Sequence, residues 1–196
     1  MAGPAAISHA SESLQAVLDA AITVVGDFAG TTIDLRSPHD IGTPAVGTNI
    51  VSLWLYQVER FGEVENAPAR FGADGRLIPS PLPLKLHYLL TPLSADVLTT
   101  QRLMGLGMQA LHDQSRIAPE FTHADLNGED DEPLALHLLK NPFEDALRIW
   151  QALGETYRLS ASYAVQYVAI ESRRSLPAAR PVIDRQAEYQ QIVGVS

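Results

Sequence analysis

Several segments of this chain alternate apolar residues with a period of two, and this pattern limits the possible folds more than any other feature. The clearest segment runs from Leu82 to Leu90 and carries its apolar face on Leu82, Leu84, Leu86, Tyr88 and Leu90. Because successive side chains of a strand point to opposite faces, the run predicts a β-strand with one apolar face. Pro83 has no backbone N–H to donate, so we expect this strand to begin at a sheet edge or beyond the paired region.

Three further segments predict strands of the same sheet. Thr48 to Val58 is apolar on both faces, with Val51, Leu53 and Leu55 on one and Ile50, Trp54, Tyr56 and Val58 on the other. That pattern is typical of a central strand covered on both sides. The other two are Leu134 to Leu138 and Leu159 to Glu171, the second with an apolar face of Leu159, Ala161, Tyr163, Val165, Tyr167 and Ala169. A short strand is also expected at Thr31 to Arg36.

Three segments have helical periodicity instead. The first runs from Ser8, as N-cap, to Val25, with Gly26 as C-cap. The second runs from Ser94, as N-cap, to Asp113, and its Gly105 and Gly107 suggest a close contact with another backbone or a local bend. The third begins at Asn141-Pro142, and its apolar stripe consists of Phe143, Ala146, Leu147, Trp150 and Leu153.

The order of these elements predicts one α/β (α+β) domain, built from a mixed, mostly antiparallel sheet with helices packed against it. We expect the domain to cover residues 1–172 and a C-terminal arm to cover 173–196. The segment from Glu59 to Pro81 is predicted to be a long loop, with a possible hairpin arm around Ala73-Asp74-Gly75. Residues 127–132 form a strongly acidic segment.

The composition excludes several classes of function. The chain has 196 residues, a formal net charge of -9, two lysines and no cysteine. Disulfides and thiolate chemistry are therefore impossible, and the scarcity of clustered cations argues against nucleic-acid binding. Residues 1–10 lack the basic start and apolar run of a signal peptide, and no stretch has the length of a membrane span, so we expect a soluble protein with no membrane partner.

No pattern of catalytic or ligand-binding residues is found. The six histidines are scattered, and His87 and His137 could approach each other only from adjacent strands. The chain has no G-x-S-x-G nucleophile turn and no G-x-x-x-x-G-K-[ST] phosphate loop. We therefore predict no catalytic residue, no metal site and no cofactor, and a protein that acts through binding surfaces.

Two stretches together resemble a known family. They are Asn49-Ile50-Val51-Ser52-Leu53-Trp54-Leu55-Tyr56-Gln57-Val58 and Pro81-Leu82-Pro83-Leu84-Lys85-Leu86-His87-Tyr88-Leu89-Leu90-Thr91-Pro92. The first is similar to the N-L-x-L-Y-Q-V strand, and the second to the L-x-L-x-Y-L-L-T strand, of the N-terminal domains of cap, or tail-terminator, proteins of extracellular contractile injection systems. The helix with Leu147 and Trp150 and the following Tyr157 to Tyr163 resemble the family too. Asn66 and Arg70 only approximate the family's arginine-asparagine pair.

The resemblance implies a structural protein that forms a ring of six subunits on the distal end of the inner tube. There it would terminate tube growth and anchor the last sheath ring of a particle that is assembled in the cytoplasm and released. The implied partners are further copies of the chain, the tube protein and the sheath protein. The alternative is a small-molecule-binding or enzymatic α/β domain whose pocket the sequence does not reveal.

We expect the partner contacts to lie in the Glu59–Pro81 loop and in the tail. Both segments are too polar, and too often interrupted by proline and glycine, to form core, yet they carry spaced arginines and apolar residues. The predicted contact residues are Arg60, Asn66, Arg70, Arg76, Arg173, Arg174, Arg180 and Tyr189.

Overall fold

Five strands form one mixed sheet in the computed structural model, which describes residues 3–62, 70–71, 77–126, 133–172 and 174. The strands of this sheet are β1 (Thr32–Asp34), β2 (Ile50–Arg60), β5 (Leu82–Leu93), β6 (Ala135–Leu138) and β7 (Ala161–Ile170). The helices are α1 (Ala6–Ile22), α2 (Pro38–Ile41), α3 (Val97–Asp113) and α4 (Phe143–Ala152), and β3 (Arg70–Phe71) and β4 (Leu77–Ile78) form a separate pair.

The sheet has the order β1-β2-β5-β7-β6. β1 pairs with β2 in parallel, and the other three neighbouring pairs are antiparallel. The prediction of a mixed, mostly antiparallel α+β fold is therefore confirmed. No helix in the described ranges has both the length and the apolar character that crossing a bilayer requires.

The chain divides into two compact units. The larger consists of residues 1–67 and 81–171 and holds the five-stranded sheet with all four helices. The smaller consists of residues 68–80 and 172–196 and holds the antiparallel pair β3–β4, in which Arg70 pairs with Ile78 and Phe71 with Leu77. This pair flanks the turn predicted at Ala73-Asp74-Gly75, and the turn itself lies outside the described residues.

The main core lies between one face of the sheet and helices α1 and α3. It is built from side chains that are at most 2% exposed, among them Leu14, Leu18, Leu86, Leu90, Leu103 and Leu111. Gly107 of α3 explains how closely the helix approaches the sheet, since a β-carbon there would lie 3.2 Å from Leu90 Cδ2. The predicted close contact is thus present, but Gly107 meets a side chain rather than another backbone. Gly105 has open space beside it.

β5 is the central strand of the sheet, and the prediction that it begins at an edge is wrong. Pro83 is tolerated because it lies near one end of the strand, where it pairs with Ala169, and its carbonyl accepts a hydrogen bond from the Phe61 N–H at 3.0 Å. The expected division of β5 into an apolar and a polar face also fails, because its residues are buried on both faces from Leu86 to Leu93.

Two β-bulges change the predicted faces of the neighbouring strands. In β2 an extra residue at Tyr56 makes Val58 pair with Leu86, so Val58 does not share the face of Trp54. In β7 the register shifts between Val165 and Val168, which pair with Leu86 and Leu84. Val168 is therefore in the core, in place of the predicted Tyr167.

Tyr167 enters the bulge with a φ of 62°, the one positive value among the described non-glycine residues. Such a backbone costs about 1–3 kcal/mol for a bulky residue and persists only where surrounding contacts hold it. The ring of Tyr167 lies edge-on to that of Phe61, with 6.5 Å between centroids.

The helix ends differ from the sequence prediction. α1 begins two residues before Ser8, whose hydroxyl donates to the Ala5 carbonyl from within the first turn, and it ends at Ile22 rather than Val25. The N-cap of α3 is Asp96, whose carboxylate accepts the Thr99 N–H at 2.7 Å, and not Ser94. This hydrogen bond holds the pKa of Asp96 below its ordinary value. α4 begins at Phe143, with Pro142 as its N-cap.

Candidate partner-binding surfaces

Helix α4 presents an exposed aromatic surface, which we call the α4 patch and define as Phe143, Tyr157 and Leu159. Phe143 is 63% exposed, although its position in the apolar stripe predicted a core residue. Its ring lies edge-on to Tyr157 with 5.1 Å between centroids, and Tyr157 in turn lies 6.2 Å from the ring of Trp150. Leu159, two residues further along, is 41% exposed.

The α4 patch rests on a rigid base. Trp150 is fully buried and lies outside the α1–α3 core cluster, and its indole N–H donates to Ser160 Oγ at 3.1 Å. Large aromatic rings on a fixed support can bury much surface at little entropic cost, which is why such rings are frequent at protein–protein contacts. The patch is therefore suited to binding another protein.

A polar cluster lies between the two bulges, on the face of β5 opposite the main core. Glu59 Oε1 accepts a hydrogen bond from His87 Nε2 at 2.9 Å and lies 3.3 Å from Lys85 Nζ. The hydrogen bond from His87, followed by that from Lys85, lowers the pKa of Glu59. Tyr56 lies edge-on to His87, with 5.9 Å between the ring centroids. Since Glu59 of β2 is engaged by both His87 and Lys85 of β5, this cluster links the two strands near the end of the sheet.

The β1 edge of the sheet is protected against pairing with another strand. β1 has only three residues, and the Gln15 side-chain amide donates to the Ile33 carbonyl at 2.8 Å. Asp34 and Arg36 form a bidentate ion pair beside it, with the shortest contact at 2.6 Å, and this pair lowers the pKa of Asp34. Short length, charge and a side-chain cap are recognised means of blocking a sheet edge.

The β6 edge is the opposite end of the sheet and lies next to a groove. Arg116 bridges to Ala135 at the start of the strand, while Leu138 at its end is 52% exposed. The groove has a volume of about 390 Å³ and is lined by Met108, Gln109, Leu111, His112, Ser115, Leu136, Leu138 and Tyr163. Part of this edge is already paired, because the Leu136 N–H donates to the Ser115 carbonyl at 2.8 Å and the Ile117 N–H donates to the Leu134 carbonyl at 3.1 Å. The groove and the exposed Leu138 beside it are suited to accepting an apolar side chain of a partner.

The predicted contact residues are divided between the two units of the chain. Arg60 is exposed at the end of β2 in the larger unit. Arg70 begins β3 in the smaller unit, where the exposed Arg174 donates its backbone N–H to Ser172 Oγ at 3.2 Å. The remaining predicted residues, Asn66, Arg76, Arg173, Arg180 and Tyr189, lie outside the described residues.

Sequence reasoning missed two features of the described chain. The exposure of Phe143 could not be predicted because the residue satisfies the helical apolar period. The approach of His9 to His123 and Asp125 was missed because His9 lies more than 110 positions before the other two, and no local motif links them. The pair that was considered, His87 and His137, is not on adjacent strands, since both pair with Ala164 of the strand between them.

Comparison with known proteins places this fold in context. A family model described as the Pvc16 N-terminal domain matches residues 9–184. Among curated protein sequences, none matches the chain significantly.

Two solved structures share the fold. One is the sheath/tube terminator of PVC, an extracellular contractile injection system, in its extended state, with a TM-score of 0.69 and 21% identity. The other is the tube-terminating cap of the anti-feeding prophage, with a TM-score of 0.55 and 20% identity. The matches cover 97% and 81% of this chain, which spans 65% and 53% of the length of those two chains.

Proposed function

Because this chain belongs to the Pvc16 N-terminal domain family, we propose that it is a structural assembly protein that caps the distal end of the inner tube and sheath of a contractile injection system. In this role it stops the growth of the tube and anchors the last ring of the sheath. The observation that carries the proposal is the likeness to a sheath/tube terminator over 97% of the chain. The likeness to a tube-terminating cap supports it.

The cap is proposed to be a ring of six copies. Each subunit of a closed ring contacts its two neighbours through two different surfaces, so a ring-forming chain needs two unlike contact regions. The α4 patch supplies an aromatic region, and the groove beside Leu138 supplies a region that can accept an apolar side chain. Both edges of the sheet are largely closed to strand pairing, because β1 is blocked and residues 115–117 already bond to Leu134 and Leu136 at β6. The groove and the exposed Leu138 therefore remain as the contact region at this end of the sheet.

The tube and sheath are proposed to contact the arginine-bearing segments. These are residues 59–81, with Arg60, Asn66, Arg70 and Arg76, and the arm at 173–196, with Arg173, Arg174, Arg180 and Tyr189. Guanidinium groups suit such contacts because their five N–H donors can bind carboxylates and carbonyls in fixed geometry. The exposure of Arg60 and Arg174 supports the assignment.

The protein is proposed to act without catalysis, to assemble in the cytoplasm and to leave the cell as part of the particle. A structural role is supported by the likeness to a sheath/tube terminator and to a tube-terminating cap.

A complementation experiment tests this function and the α4 contact separately. Cells that produce the particle would lose the gene for this chain and receive the wild type, Phe143→Ser or Val46→Ser. Val46 is the matched control because it is 92% exposed and lies outside the α4 patch. We expect capped particles of uniform length from the wild type and from Val46→Ser, and uncapped or irregular particles from Phe143→Ser.

The two parts of the proposal fail in different ways. If the gene deletion leaves particles with normal ends and lengths, the capping function is wrong. If the deletion has the expected effect but Phe143→Ser restores capping fully, the function stands and the α4 patch is not a ring contact.

A further inference from the structure

Two histidines from distant parts of the sequence stack on each other at the start of α1. His9 lies in the second turn of α1, and His123 lies just before the short 3-10 turn Ala124–Leu126. Their rings are 3.7 Å apart between centroids and within 8° of parallel. Asp125 and Glu12 lie beside them, and we call these four residues the His9 cluster.

The backbone holds the two histidines in place. Ser13 Oγ donates to the His9 carbonyl at 2.7 Å and accepts the backbone N–H of His123 at 2.9 Å. Ser13 itself is 1% exposed, so this connection is shielded from water. The fold therefore holds together the two backbone segments that carry these histidines.

Three residues of the cluster bring one polar atom each close to the other two. One ligand atom from each of His9, His123 and Asp125 lies within 4.8 Å of the other two. Asp125 Oδ2 is 3.6 Å from His9 Nδ1 and 3.8 Å from His123 Nδ1. His9 Nδ1 is fully buried and has no hydrogen-bond partner within the described part of the chain. A buried ring nitrogen without a hydrogen-bond partner is costly, and a ligand bound to it would relieve that cost.

The surroundings of His123 set the tautomer of its ring. Its Nδ1 accepts the backbone N–H of Asp125 over 3.3 Å, so the proton of the neutral ring resides on Nε2. Because Nδ1 has a single lone pair, a metal ion bound at Nδ1 replaces this long hydrogen bond. That Nε2 faces Glu12 Oε2 at 3.8 Å. Histidines that bind a metal usually direct their second ring nitrogen toward a carboxylate, which fixes the tautomer. Glu12 is in the position of such a supporting carboxylate.

We propose that His9, His123 and Asp125 bind one transition-metal ion of the zinc class. Two imidazoles and a carboxylate form a donor set that zinc accepts, and three protein ligands leave the fourth position to water or to a group from a partner. The lone pair of an imidazole lies in the plane of its ring, so binding turns the two rings out of their parallel stack. His123 has room to turn because its side chain is 35% exposed. The ion ties α1 to the segment that carries His123 and Asp125.

Zinc ions alone are the probe, with the full chain freed of any affinity tag and of metal. Isothermal titration and metal analysis after dialysis measure the stoichiometry and affinity. We expect one zinc per chain, at least a hundredfold weaker binding for His9→Asn and for His123→Asn, and about tenfold weaker binding for Glu12→Gln, as for other supporting carboxylates. His137→Asn is the matched control, because His137 is exposed on β6 and should bind as the wild type does.

Circular dichroism of each metal-free variant shows whether it is folded. If His9→Asn fails to fold, Asp125→Asn gives the same test, because it removes a ligand from the exposed side of the cluster. Absence of zinc binding by the wild type overturns the proposal. The proposal is also overturned if folded variants of His9, His123 or Asp125 still bind one zinc per chain, or if His137→Asn loses zinc binding.

Discussion

Replacing Trp150 with alanine should substantially lower the free energy of unfolding of this domain. The side chain is fully buried, packs edge-on to Tyr157 and donates a hydrogen bond to Ser160. A buried tryptophan removes about 200 Å² from water, which at about 25 cal/mol per Å² gives an upper bound of ~5 kcal/mol. Measured losses for comparable substitutions are about 3–5 kcal/mol, so we expect a loss in that range.

Urea denaturation and thermal melting measure this loss. A chain of this length should lose about 2–4 °C of melting temperature per kcal/mol, so Trp150→Ala should melt roughly 6–20 °C lower. Ser160→Ala should cost about 1–3 kcal/mol, because it removes only the acceptor of the indole N–H. Phe143→Ala on the same helix is the matched control and should change stability little, since the side chain is mostly exposed. The packing account is refuted if Trp150→Ala costs less than 1 kcal/mol, or no more than Phe143→Ala.

Three further predictions concern the helices, the core and the tail. Gly105→Ala should stabilise the protein by up to about 1 kcal/mol, because the added methyl group meets open space. Gly107→Ala should stabilise it less or destabilise it, because Leu90 must move. Equal changes in the free energy of unfolding by urea denaturation would contradict this. Burial raises the pKa of Tyr88 to about 12, so the folded state keeps this proton after the unfolded chain has lost it. Stability should therefore fall as the pH rises from about 10 to 12, less steeply in Tyr88→Phe, and an unchanged slope in that variant would refute the assignment. Removing residues 173–196 should leave the circular dichroism and the melting temperature nearly unchanged but produce particles without caps. If the shortened chain unfolds, or builds normal particles, the tail is not a contact segment separate from the folded domain.

The strands and helices were predictable because their apolar residues recur with the period of a strand or of a helix. Leu82 to Leu90 shows the period of two directly, and the residues of Thr48 to Leu55 point to the predicted faces. The prediction failed where one extra residue enters a strand. No residue type at Tyr56 or Tyr167 signals a bulge, and Tyr167 is an unfavourable choice for a positive φ, so tertiary contacts decide its conformation.

The candidate surfaces were less predictable than the fold. The position of β5 at the centre of the sheet depends on pairing with both β2 and β7, which no local pattern specifies. The same limitation applies to the His9 cluster, because the ring of His9 meets that of His123 only after α1 packs against a segment more than 110 residues away. The arginines of residues 59–81 and 173–196 were predicted to be contact residues from the sequence, and this stays a prediction because their partners are chemical groups of other chains.

Cryo-electron microscopy of the intact particle, with this chain carrying a small visible tag, tests the capping function most directly. The account predicts a ring of six tagged copies at the distal end of the tube, in contact with the last ring of the sheath. Particles whose tube ends carry no ring of this chain, or carry it along the tube or at the opposite end, would contradict it.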